Sequence, residues 1–479
     1  MKRESGFRPW RSLGLCGLVA IVAALAGCAA GPNYQRPELG VPAAFRGQAG
    51  ASTNSLADLP WWQVFHDEPL QKLVRVALTN NYDLRVAFTR VEQARALAAA
   101  ARAGFFPRLN YAAVGGRGKN VGVSGQPAPT GTSGSAFGAD LNASWEIDLW
   151  GRVRRLDEAA RADYLASQEA RRDMTISVVA LVAQDYFQLL ALERELAIAR
   201  DTTNSYGQSL KIFTQRLRGG VASKLESSSA EGLMETAAAT IPELERQIAM
   251  QENQISVLLG RNPGPVMLGK VPLDEQLPPE VPAGLPAKLI ERRPDVLEAE
   301  QQLRSANAQV GVAKANFFPQ LSLSGLYGRV SPELSAFTGG GAAAWSAAAG
   351  LTGPIFQGGL LRAQFERTKA VREQYSLQYQ AAVLNALAEV SNALISREKL
   401  AEERTRQTQA VAAYKEALRI ATERYRLGNA SYYEVLQEQQ QLFPAENALA
   451  QTELNQLLAV VQLYRALGGG WTESAPAGK

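Results

Sequence analysis

Cysteine is almost absent: the 479 residues hold two, Cys16 and Cys28. Both fall near the start, so the body of the chain has no disulfide framework. Histidine is scarcer still. His66 stands alone beside Asp67 and Glu68, with no second His or Cys to complete a metal site. An excess of one charge is missing too. The formal net charge is +4, and +3 of it comes from Lys2, Arg3, Arg8 and Arg11 against Glu4. No basic patch with interleaved aromatics occurs, which argues against a nucleic-acid partner. No Walker, nucleophile-elbow or Rossmann pattern occurs, so neither an enzyme nor a cofactor is expected. Glycine and proline are both absent from residues 152–206 and from 360–427. That excludes a loop-rich fold there and leaves very long helices.

The N-terminus reads as a processing signal over 1–27. A basic region precedes an apolar run, residues 13–25, too short to span a bilayer as a helix. The run ends in "LAGC", which resembles the bacterial lipoprotein box, with Cys28 as the acylated residue; an ordinary secretory signal is the alternative. The mature chain is then near neutral. Ala29 follows the cysteine, where an Asp would favour the inner membrane in such lipoproteins, so outer-membrane sorting is expected.

The chain also repeats itself. "ARAGFFPRLNYAA" returns as "AKANFFPQLSLSG", and "RLRGGVASKLE" returns as "RYRLGNASYYE". Two copies are too few for a solenoid and point to a duplicated, pseudo-symmetric unit. The expected organisation is an N-terminal segment (28–60), a first repeat (61–260), a Pro-rich linker (261–285), a second repeat (286–468) and a tail (469–479).

Each repeat is expected to hold a helical hairpin. A helix over 360–427 spans roughly 100 Å at 1.5 Å per residue, too long for one globular core. Coiled-coil packing follows, with Val435, Leu442 and Leu449 at heptad spacing on the return. Gly219-Gly220 and Gly428-Asn429 mark the tips, since both residue types tolerate positive φ. Ser223 and Ser431 are plausible N-caps, with Glu226 and Glu434 three residues on, the spacing of a capping box. "RRPDV" reads as a helix start, with Pro294 in the first turn and Asp295 and Glu298 complementing the dipole. Trp61 and Trp62 read as packing for the N-terminal segment.

The opposite end of each repeat alternates instead. Phe137, Ala139, Leu141, Ala143, Trp145, Ile147 and Leu149 interleave with Gly138, Asp140, Asn142, Ser144, Glu146 and Asp148. One face is apolar, the other polar and acidic, over the length of a membrane strand. Strands are expected at about 108–117, 137–149, 320–330 and 344–356, the second pair less clearly patterned. "FFP" then marks the junction where a helix stops and a strand starts. A soluble hairpin packed on a helix would show the same alternation. Four strands cannot close a barrel, and open edges are forbidden in lipid, so a membrane reading requires oligomerisation.

Three stretches carry a family resemblance: "WWQVFHDEPLQKLVRVALTNNYDLRVAFTRVEQARA", "ERRPDVLEAEQQLRSANAQVGVAKANFFPQLSLSG" and "GPIFQGGLLRAQFE". Together they resemble the TolC-like outer-membrane efflux proteins, in the lipoprotein branch of NodT and OprM type, over essentially the whole mature chain. The resemblance implies a mixed α and β membrane protein. It implies a homotrimer with a twelve-stranded barrel, four strands per chain, continuous with a long α-helical periplasmic tunnel. It implies a passive exit duct embedded in outer-membrane lipid. Its partners would be a periplasmic adaptor and an inner-membrane pump, usually of the resistance-nodulation-division type. The periplasmic closure would involve Tyr433, Glu434 and Gln437. A tip tyrosine and an acid of the first hairpin, linked in the family, map to Tyr425 and Glu226. The family's second acidic position is Gln437 here, and its tip arginine is Ala430, which puts a double acidic ring and an ionic latch in doubt. Adaptor contacts would fall on the tips at Gly219, Gly220, Ser223, Gly428, Asn429 and Ser431. For Glu226 and Glu434, capping and gating both stay open. A duct for type I protein secretion and a pore-less coiled-coil scaffold lipoprotein are the rival functions.

Overall fold

A computed structural model describes residues 29–47, 59–119, 131, 133–269, 271–276 and 286–469. The lipobox, Cys28 and the 470–479 tail lie outside the described residues. The chain divides into two compact units.

The first unit takes the described residues up to Glu38, then Val91–Ser167 and Ala299–Tyr379. At its centre is an antiparallel sheet in the order β1-β2-β3-β4. The strands are β1 (Arg108–Lys119), β2 (Ser133–Ile147), β3 (Gln320–Ser331) and β4 (Ala343–Thr352). β4 stops at Thr352 rather than near 356, where Gly353-Pro354 breaks the ladder. At about 3.3 Å per residue β1 reaches about 40 Å, enough to cross an outer membrane when tilted.

The register sorts side chains by parity. Tyr111 faces Leu141, Leu141 faces Tyr327, and Tyr327 faces Trp345. Every odd-numbered strand position therefore shares one face. That face carries Leu109, Tyr111, Leu141, Trp145, Leu323, Tyr327, Trp345 and Leu351, all exposed. Asn110, Asp140, Asn142, Ser144, Glu146, Ser322 and Ser324 share the other. Gly328 has a packing reason: a Cβ there would stand 2.3 Å from the Ala139 carbonyl oxygen.

The residues after Cys28 form a strap within this unit. Gly31 has φ +91° and crosses Gly311 so closely that a Cβ would lie 2.4 Å from its Cα. Arg36 and Arg304 clamp the buried Glu300 at 3.0 and 2.7 Å. Tyr34 donates a hydrogen bond to the same carboxylate. A buried acid is tolerable only with such partners.

The second unit holds Leu39–Arg90, Gln168–Glu298 and the described residues from Gln380. Helix α1 is Glu68–Asn80, capped by Asp67, and α2 is Tyr82–Arg102. The hairpins are α3 (Arg152–Arg218) with α4 (Lys224–Leu258), and, after α5 (Pro286–Arg292) and α6 (Pro294–Ala315), α7 (Leu360–Arg426) with α8 (Tyr432–Ala466). The two copies agree in length: 67 residues out and 35 back. An apolar window of α3 is 72% buried inside the protein, so it is core and no membrane span. Tyr186 and Leu189 on α3, and Leu454 and Leu463 on α8, are fully buried.

"RRPDV" does start a helix, at Pro294. Arg293 also bonds widely. It reaches Asp295 at 2.6 Å, Glu389 at 2.7 Å and the Ala466 carbonyl at 3.0 Å. Trp61 is buried, edge-on to Trp62. His66 is exposed.

Burial pushes the Glu298 carboxyl up to about 7, with the charges of Asp173, Asp295 and Glu169 adding to the effect. Desolvation and Asp295 raise Asp173 as well. Well below the ordinary value of 4.5, Glu298 is protonated whether folded or not. As pH rises through 4.5 the unfolded chain loses this proton first, so folding loses stability until about pH 7. Glu298→Gln is therefore expected to raise the melting temperature at pH 8 and to change it little near pH 4. Calorimetry at both pH values checks this, and an equal gain at both would contradict it.

Candidate gate at the helix tips

The same end is built at both tips. Gly220 and Gly428 take φ of +71° and +79°, so they, not Gly219 or Asn429, supply the left-handed turn. Val221 N–H donates to the Arg216 carbonyl at 2.9 Å, and Asn429 N–H to the Arg424 carbonyl at 2.8 Å. These are Schellman bonds, which satisfy the last carbonyls of each long helix.

The starts of the return helices differ. At the first tip the capping box is complete. Glu226 N–H donates to Ser223 Oγ at 3.3 Å, and Ser223 N–H donates to Glu226 Oε2 at 3.1 Å. At the second tip Ser431 holds the N-cap position but makes no side-chain cap. Glu434 pairs instead with Arg424 at 3.0 Å. Arg424 also donates to the Asn429 carbonyl at 3.3 Å. The expected second capping box is thus replaced by a cross-tip ion pair, whereas the equivalent arginine of the first tip, Arg216, lies over the Tyr425 ring instead. Both partners are about half exposed, so the pair contributes at most about 1 kcal/mol.

The expected Tyr425–Glu226 link gives way to other partners. Glu226 is engaged in its capping box. Tyr425 is buried, its ring 5.4 Å from Phe213, with the Arg216 guanidinium 4.4 Å above it. A cation over an aromatic face holds the ring without an acid. Tyr432 completes the cluster, its ring 3.9 Å from Phe213. Ala230, Ala421 and Val435 fill the remaining space. The Tyr432 hydroxyl is buried and has no hydrogen-bond partner among the described residues. Burial, then Tyr206, Tyr425 and Glu226, push it up to about 12. Tyr433 points away and is 69% exposed, and Gln437 is exposed as well.

Sequence reasoning missed Arg216, Arg424, Phe213 and Tyr432. A signal for the arginines was present, since Arg216 recurs as Arg424 in the duplicated tip. Phe213 and Tyr432 carried none, because an aromatic on a long helix reads as any other seam residue.

The sequence profile of the family described as outer membrane efflux protein matches residues 73–261 and again 285–469. The chain belongs to the outer membrane efflux protein family. Relatives of this efflux protein agree along nearly their whole length. The toluene efflux pump outer membrane protein TtgC of Pseudomonas putida is 37% identical over 467 residues, 96% of each chain. The cation efflux system protein CusC of Escherichia coli is 33% identical, covering 95% of this chain and 98% of that one. Among solved structures, the open state of the Neisseria gonorrhoeae MtrE outer membrane channel superposes with a TM-score of 0.84 at 32% identity, over 93% of this chain and 99% of that one. The efflux protein is therefore an outer-membrane channel that extends into the periplasm. Its family is one of ducts rather than enzymes. The double profile match also establishes the internal repeat.

Proposed function

We propose that the efflux protein is the passive exit duct of a tripartite pump, with three copies closing one barrel. The observation that carries this is the sheet: four strands in linear order, with β1 and β4 as edges and one face of exposed apolar side chains. Unpaired strand edges are not tolerated in hydrocarbon. Eight strands are about the minimum for closure. Three copies supply twelve, each β1 meeting a neighbour's β4. Crosslinking of the purified protein in detergent is expected to give species up to a trimer and no larger. A monomer stably inserted in lipid would overturn the reading.

The remaining roles follow from position. The tips, at Gly219, Gly220, Ser223, Gly428, Asn429 and Ser431, would meet a periplasmic adaptor, and the inner-membrane partner would be a pump of the resistance-nodulation-division type. Tyr433, Glu434 and Gln437 would line the closure, with Tyr425 and Glu226 bracing it through the aromatic cluster and the capping box. The cargo would be small toxic compounds of the kind the relatives' names record, organic solvents or metal cations. Cys28 would carry the lipid anchor. Palmitate labelling is expected to vanish in Cys28→Ser, and labelling that persists would sink the assignment.

A further inference from the structure

Among the described strand residues, the two faces of the sheet differ in charge: the even-numbered face mixes Arg108 with acids, whereas the odd-numbered face carries one sign only. The odd-numbered face has three, Arg117 and Lys119 on β1 and Arg329 on β3, and all are basic. The acids of the strands, Asp140 and Glu146, lie on the even-numbered face. The three basic residues also share one end. Arg329 is one face repeat beyond Tyr327 of the aromatic row, about 7 Å along the strand. Arg117 and Lys119 lie further out on β1, near the end remote from the helix junctions. The inner end of the same face is uncharged: Leu109, Trp145, Ile147, Leu321 and Leu351.

We propose that this end of the odd-numbered face binds a phosphorylated glycolipid, the anionic lipid of an outer leaflet, through Arg117, Lys119 and Arg329. The proposal rests on the barrel reading, which turns this face toward lipid. A basic side chain on a lipid-facing strand costs about 2–4 kcal/mol at mid-depth and little near the interface. That cost explains why the middle of the face has none. It does not explain why one end is basic and the other uncharged, nor why no acid shares the face. An anionic partner at the outer end explains both. Arg117 and Lys119 are exposed, so their donors face outward. Arg329 gives one N–H to the Gly339 carbonyl at 2.8 Å, which steadies the guanidinium and leaves further donors. Its planar fork suits phosphate oxygens. Tyr111, Tyr327 and Trp345 form the row beneath, where amphipathic rings mark the membrane interface. The nearest acid in the following loop is Glu333, whose carboxylate accepts from Ser335 Oγ at 3.4 Å.

The test compares the full-length wild type with the variant R117Q/K119Q/R329Q. Each is reconstituted in phosphatidylethanolamine vesicles containing either bisphosphorylated lipid A or phosphatidylglycerol. Lipid retained on the extracted protein is counted by native mass spectrometry. Planar-bilayer conductance reports insertion independently. The wild type is expected to retain lipid A at least about tenfold better than the variant, since each basic group near an anionic surface contributes severalfold. The charge-keeping variant R117K/R329K is expected to bind nearly as the wild type does. Equal retention by the wild type and R117Q/K119Q/R329Q, both conducting, would overturn the inference and leave the barrel standing. Retention of phosphatidylglycerol as strong as that of lipid A would overturn the glycolipid assignment. A wild type that never conducts would overturn the barrel reading itself, and this inference with it.

Discussion

Tyr433→Ala/Gln437→Ala is expected to give a channel several times more conductive than the wild type in planar bilayers. Both side chains are exposed on the first turns of α8. If three tips converge, these are the groups that fill the space between them. Removing two side chains per copy removes six in the trimer. Glu434 beside them is already paired with Arg424, so the tip is less negative than three bare carboxylates would make it. Glu434→Gln leaves Arg424 without its acid and adds net positive charge at the mouth. It is expected to lower cation preference more than conductance. Unchanged conductance in the double variant would move the closure elsewhere. Unchanged selectivity in Glu434→Gln would place the charge filter on the even-numbered strand face, at Asp140.

Phe213→Ala is expected to separate the two hairpin tips. Phe213 is 1% exposed and touches Tyr425 and Tyr432, one on each side of the second tip. Truncating such a ring costs about 3–5 kcal/mol. The loss falls at the ends of helices that are stable elsewhere, so it should appear locally. Limited proteolysis at residues 219–222 and 428–431 is expected to speed up by at least about tenfold, with global melting little changed. Tyr432→Phe is the contrast. Its buried hydroxyl has no partner among the described residues, so deleting it relieves an unsatisfied polar group and should leave the tip as stable or more so. Protection of both sites in Phe213→Ala would show that the coiled-coil seams hold the tips without the cluster.

Most of the architecture was legible because it is periodic. The Gly- and Pro-free runs set the long helices, and the duplicated tips set where they turn. The alternation from Phe137 to Ile147 marked β2 on its own. β4 was harder to read, because Ala and Gly dominate it and a small residue suits either face. Its face is assigned by Trp345 lying opposite Tyr327, and that is a pairing no single strand contains.

By itself the sequence determined the repeat, the hairpins, the four strands and the family, since each rests on local pattern or on motifs written in order along the chain. Only the tertiary structure decided the partners. Ser223 and Ser431 sit in equivalent turns, yet only Ser223 caps, because Glu434 is drawn to Arg424 across the tip while Glu226 closes on its own helix start. Tyr425 meets Arg216, more than two hundred residues away in the chain. Arg293 bonds to Glu389 and to the Ala466 carbonyl on two other helices. A charged or aromatic side chain has several acceptable neighbours, and its sequence surroundings do not rank them. The packing of the helices brings one of them within reach, and distance then settles the choice.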